Sequence, residues 1–146
     1  MITIDDFSKI EIRVGKVSEA GNVEGSEKLI RLVVDFGTSA EALANGDSEP
    51  EKRIIFAGVR GFGYQPEDFI NKQFLFVTNL EPRKMPSYVE TSERRLPEYS
   101  QGMILAVDSA GSPQVDDEAG DPSTSSGQAK PLFISAEGLP VGSKVR

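Results

Sequence analysis

An all-β fold, a small barrel of five strands, is predicted by three features of this 146-residue chain. Apolar residues recur at every second position in block after block, helical signals are short, and the length suits one domain with one continuous core. The elements follow in chain order. In "KIEIRVGKV" (9–17), Ile10, Ile12 and Val14 share one face while Glu11 and Arg13 share the other, the pattern of a half-buried strand. In "KLIRLVVDFG" (28–37), Ile30, Leu32, Val34 and Phe36 alternate with Arg31, Val33 and Asp35. "RIIFAGV" (53–59), "KQFLFVTNL" (72–80) and "GMILAV" (102–107) supply three more strands, rich in β-branched and aromatic residues. Phe74 and Phe76 belong to the core by their spacing. Asp5 or Asp6 can cap one helical turn through Ser8 and Lys9, and "PEDFI" (66–70) places Pro and acids where a first helical turn favours them.

Five short strands, a helical turn between the third and fourth, and long loops fit a five-stranded Greek-key barrel of the oligonucleotide/oligosaccharide-binding (OB) type. Closure hides strand edges that so much β sequence would otherwise expose. A sandwich of six or seven strands is the alternative.

The composition removes whole classes of chemistry. Zero cysteine and zero histidine exclude disulfides, thiolate zinc sites, Cys–His or Ser–His nucleophiles and imidazole bases. Nothing in the spacing of the 23 acidic residues singles out a catalytic carboxylate pair. The expectation is therefore a non-enzyme with no cofactor. No apolar run approaches the roughly 18 residues that cross a bilayer. "MITIDDFSKI" has neither the basic start nor the apolar stretch of a signal peptide. A cytoplasmic protein without a membrane partner is expected.

The net charge of −7 is concentrated in two stretches that read as loop insertions. "SAEALANGDSEPEK" (39–52) carries Glu41, Asp47, Glu49 and Glu51 against Lys52, and "SAGSPQVDDEAGDPSTSSGQ" (109–128) carries Asp116, Asp117, Glu118 and Asp121 with no base. Their net −3 and −4 account for all of it, leaving 15 acids and 15 bases elsewhere. One face of the remainder can then be cationic although the pI is about 4.7. Two other signals are discounted. The acids of 116–121 do not follow EF-hand ligand spacing. "GVRGFGYQP" (58–66) is G-x-x-G-x-G without a long helix or a Lys-Ser/Thr behind it, so it reads as a tight connection with Phe62 and Tyr64 packing on the barrel or at a dimer contact.

Five blocks, "DFSKIEIRVGKV" (6–17), "EKLIRLVVDFG" (27–37), "RIIFAGV" (53–59), "NLEPRKM" (79–85) and "SQGMILA" (100–106), resemble, in order, the tRNA-binding domain family. That domain occurs at the C-terminus of many methionyl-tRNA synthetases, as free-standing dimeric tRNA-binding proteins, and in the endothelial monocyte-activating polypeptide. The resemblance implies an OB-fold gripping the tRNA elbow or acceptor region by structure rather than sequence, either as a trans factor or associated with an aminoacyl-tRNA synthetase. "LPVGSKVR" (139–146) is similar to the end of the dimeric forms and implies a homodimer. The resemblance further implies a groove lined by Lys28, Arg53, Asn79, Arg83, Lys84, Met85, Ser100, Gln101 and Met103. Those residue types suit contact with RNA, since Lys and Arg neutralise phosphates, Asn and Ser reach phosphate or 2′-hydroxyl oxygens, and Met offers an apolar surface to base or ribose.

The chain also departs from the family. Ala57 stands where a serine is usual, "NVEGSEK" (22–28) replaces a His-Pro loop, and "PSYVETSERRLPEY" (86–99) is a third insertion. Arg94 and Arg95 with Tyr88 and Tyr99 interleave bases and aromatics there, as single-stranded nucleic acid binding exploits. A surface hairpin with a solvated arginine pair is the plainer reading. A protein-binding chaperone of the bacterial secretion type, on the same fold, is the alternative function.

Overall fold

A computed structural model of the chain describes residues 1–90, 95–108 and 130–146, the side chains of 87–90 and 95–96 excepted. Its centre is a five-stranded, nearly closed barrel sheet. Along the sheet lie β3 (Lys52–Ala57), β2 (Ile30–Asp35), β1 (Ile12–Asn22), β4 (Gln73–Val77) and β7 (Met103–Ile104). All pairings are antiparallel. The OB-type barrel expected from the alternation is present.

One long strand makes the curvature possible. β1 pairs with β4 through residues 12–16 and with β2 through residues 16–22, and its register shifts between Val17 and Glu19. A bulge of this kind bends and twists a strand, which lets one strand serve two halves of a barrel. Ser18, at the shift, donates its hydroxyl to the Val33 carbonyl. The core is filled by residues whose spacing announced it, Ile30, Leu32, Val34, Phe36, Phe74 and Phe76, joined by Ile55 of β3 and by Phe69. Phe36 and Phe76 meet edge to face at 5.6 Å, a geometry that aromatic quadrupoles favour. Tyr64, from the glycine-rich connection, packs against Phe69 and Phe133, and Phe62 also packs on the core.

The short helices lie where capping chemistry permits. α1 (Ile4–Ser8) starts at Thr3, whose hydroxyl accepts from the Asp6 amide while the Asp6 carboxylate accepts from the Thr3 amide. The cap is thus Thr3 rather than an aspartate. A 3₁₀ turn spans Pro66–Asp68, and another spans Arg60–Phe62.

Two expectations change, and the insertion at 86–99 is the hairpin of its plainer reading. Ile10 is exposed and precedes β1, and Arg13, expected on the solvent face, is 8% exposed. The tail pairs with the free edge of the first half of β1, with Gly142 N donating to Val14 O, Val14 N to Ser143 O and Val145 N to Ile12 O, and the Arg13 side chain is enclosed between Gly142 O, Phe36 O, the Phe36 ring and Glu51. The insertion at 86–99 is largely strand: β5 (Arg83–Glu90) pairs with β6 (Arg95–Ser100) as a two-stranded ribbon. Finally, 102–107 splits, because β7 pairs with β4 whereas β8 (Ala106–Asp108) leaves to pair with β9 (Pro131–Phe133). Within 39–52, Ser39 caps a helical turn, α2 (Ala40–Ala44), and Lys52 opens β3. The acidic stretch 109–128 and Arg94 lie outside the described residues.

Candidate nucleic-acid interface

The barrel's two sheet edges, β3 and β7, are joined by side chains. Gln101 N donates to Ile54 O while Gln101 Oε1 accepts from Ile54 N, so one residue acts as a strand partner for β3. Ser100 Oγ accepts from Phe56 N and donates to Gly102 O. A Cβ on Gly102 would lie 2.8 Å from Val77 O and 3.0 Å from Ile55 Cδ1, so the close approach of β4 and β3 here requires glycine. The "SQG" of the motif therefore forms a seam, each residue satisfying backbone or space on a free edge.

Arg53 and Asn79 extend this internal network. Arg53 Nε donates to Glu51 Oε2 at 3.0 Å, and its Nη1 donates to Thr78 O and Gln101 O. The same Glu51 oxygen takes Arg13 Nη1 at 3.1 Å, and the two guanidinium carbons lie 5.1 Å (Arg13) and 5.8 Å (Arg53) from the Phe36 ring centre. Hence one acid of the 39–52 stretch is not held away from the barrel: it neutralises two of the barrel's arginines. Asn79 accepts from Glu11 N through Oδ1 and donates to Lys9 O, tying the exit of β4 to the segment after α1.

Arg83 and Lys84 differ. Both are exposed, and neither forms an ion pair among the described residues. β5 places them by pairing: Arg83 opposite Ser100, Lys84 opposite Tyr99. Met103, 49% exposed, lies across from Val77 on β4, and Met85 is half-buried on β5. The structure thus brings Arg53, Asn79, Arg83, Lys84, Ser100, Gln101 and Met103 to one lip, where β3, β4, β6 and β7 meet. Lys28 stands apart. It precedes β2 at the end where Ile30 faces Ala57, whereas Arg53 faces Val34 at the other end, a ladder distance of roughly 13 Å at 3.3 Å per residue. Arg60 donates to the Ser26 carbonyl beside it. Of Arg95 only the strand position, opposite Glu90, is described.

The ribbon is anchored along this lip. Glu98, 7% exposed, accepts from Arg31 Nε through both carboxylate oxygens, at 2.9 and 3.2 Å. Contacts from Gln101 to Ile54, Ser100 to Phe56 and Glu98 to Arg31 lead the ribbon from the Arg53 end of β3 toward the Lys28 end. Glu98 did not stand out in sequence as an anchor, because that role depends on a partner distant in the chain. Among the described residues no group of three or more acids could hold a metal ion, and no helix is long and apolar enough to cross a membrane.

Residues 12–129 match the family model described as "Putative tRNA binding domain". Methionine-tRNA ligase of Thermotoga maritima is 42% identical over 108 residues, 74% of this chain and 14% of that protein. That of Herminiimonas arsenicoxydans is 39% identical over 109 residues, 75% of this chain and 12% of that protein. The chain thus spans about an eighth of the length of these relatives. A MetRS related protein from Pyrococcus horikoshii has the same fold over 100% of this chain and 98% of its own, with a TM-score of 0.66 and 28% identity. The chaperone CsaA from Bacillus anthracis, at a TM-score of 0.61, 24% identity and full coverage of this chain and 99% of its own, shares the fold. By the extent of the family match and the identity to its relatives, this chain belongs to the tRNA-binding domain family.

Proposed function

We propose that the chain is a non-catalytic module that binds tRNA by its shape rather than its sequence, as a trans factor or a synthetase-associated subunit in the cytoplasm. The observation that carries this reading is the pair of exposed cations without ion pairs among the described residues, Arg83 and Lys84, together with the exposed Met103 of β7, in a protein of this family. A polyanion supplies what those side chains lack, whereas Arg13 and Arg53 already have Glu51. Met85 lines the same strand, and Arg53, Asn79, Ser100 and Gln101 shape the lip from behind. Lys28, at the far end of β2, and Arg94 and Arg95 of the insertion are proposed as further phosphate contacts.

A homodimer is part of the same proposal. The exposed apolar side chains of Ile10 and Val145, which line one surface hollow where the tail meets β1, support it, together with Ile2 and Ile4 exposed at the N-terminal end. A protein-binding chaperone role is a second reading, favoured by Leu80 and Met103 exposed at the lip.

Binding of bulk tRNA, single-stranded RNA and DNA across a salt series, with sedimentation mass at each protein concentration, tests this. The expected result is a preference for tRNA, an affinity falling linearly in log–log with salt, and a mass of two chains. Partners captured equally well after nuclease digestion, with no tRNA affinity, favour the chaperone.

A further inference from the structure

One aromatic side chain has no role in the barrel. β6 alternates Glu98 (7% exposed), Tyr99 (46%) and Ser100 (8%). Its two inward neighbours are fixed, Glu98 to Arg31 and Ser100 to the Phe56 amide. Tyr99 itself makes no hydrogen bond or ring contact among the described residues; the ring contacts run among Phe36, Tyr64, Phe69, Phe74, Phe76 and Phe133. Directly across the ribbon is Lys84, also exposed and without an ion pair among the described residues. Opposite residues on antiparallel strands share a face, so a bare aromatic ring and a bare ammonium lie side by side on the outer surface.

We propose that Tyr99 and Lys84 form a stacking subsite for one unpaired RNA base, the ring taking the base and the ammonium taking the adjoining phosphate. This rests on the RNA-binding reading and refines it: the ligand must present at least one nucleotide outside a duplex. A ring held between two anchored neighbours loses little freedom when a base stacks on it, and stacking is indifferent to base identity because every base has a π-face. A paired base has both faces covered by its own helix and cannot use the site.

The test uses the full chain with Tyr99→Ala, Tyr99→Phe and Lys84→Ala, each titrated with bulk tRNA, an unpaired RNA oligonucleotide and a blunt RNA duplex of equal length. Melting temperatures of the Tyr99 variants are expected to match the wild type. Tyr99→Ala is expected to weaken tRNA and single-strand binding by roughly fivefold to a hundredfold, with the salt dependence and duplex affinity unchanged. Tyr99→Phe keeps the π-face and is expected to stay within about twofold. Lys84→Ala is expected to lower the salt slope by about 1. Wild-type binding of tRNA that Tyr99→Ala leaves intact, or a loss as large on duplex as on single strands, overturns the subsite alone. A wild type that binds none of the three RNAs overturns the underlying function as well.

Discussion

The closing seam of the barrel and the first residues of β5 lie next to each other and draw on the same kinds of side chain, yet they are opposites in one respect. At the seam, Arg53, Asn79, Ser100 and Gln101 have their hydrogen bonds taken up by Glu51, by backbone amides and by carbonyls. On β5, Arg83 and Lys84 face solvent without ion pairs among the described residues. A polar residue in a binding-family motif therefore belongs to one of two groups: those that give the surface its shape and those that have capacity left for a ligand. Breaking the first group is expected to cost stability, and breaking the second to cost affinity.

The largest expected effect is at the seam. Gly102→Val drives a side chain into Val77 O and Ile55, an overpacking worth about 2–3 kcal/mol. Thermal unfolding is expected to move down by roughly 5–10 °C, with RNA affinity lost only as far as folding is lost. Next comes the ribbon anchor. Glu98→Gln removes the charge partner of Arg31, which is one-third exposed. Because solvent screens that arginine, the expected cost is about 1 kcal/mol, read as a lower midpoint in urea. A larger effect on tRNA affinity than on stability would show that the ribbon is positioned for binding.

Asn79→Ala is expected to cost about 0.5–1 kcal/mol, because its two lost hydrogen bonds are solvent-exposed. Hydrogen exchange at α1 should accelerate while exchange in β2 stays slow. The smallest effect concerns Asp6. Its carboxylate accepts from the Thr3 amide within the capping box, which holds its pKa below the ordinary 3.8. A depressed acid stabilises the fold above its unfolded pKa, and the contribution disappears as pH falls from about 3.8 through the folded value. Asp6→Asn should therefore narrow the stability difference between pH 5 and pH 3 slightly, as followed by circular dichroism.

Much of the barrel was legible in the sequence because β2 buries one face, which strict alternation reports, and β3, buried at successive residues from Ile55 to Ala57, reads as a short apolar run. Arg13 misled for the converse reason. Its cover comes from Phe36 and Glu51, more than 20 residues along the chain, and from Gly142, more than 120 residues along it, and no local pattern encodes that. The insertion at 86–99 was legible as a surface hairpin, but not its start at Arg83 or its anchoring through Glu98 and Ser100, which depend on β2 and β3. The lip residues were found through family motifs, but their division into seam and surface was invisible. The hydrogen bonds of Ser100 and Gln101 go to β3, some 45 residues upstream. Glu51 showed the same limit: its negative charge was counted with an insertion, although its position places it between two arginines.

The salt dependence of tRNA binding by wild type and by the Arg83→Ala, Lys84→Ala double variant, with unfolding followed in parallel, tests the division most directly. If the free cations contact phosphate, the variant binds more weakly across tRNAs, its log–log slope is shallower by about 1 to 2, and its melting temperature is unchanged. An unaltered slope and affinity in a fully folded variant would contradict it.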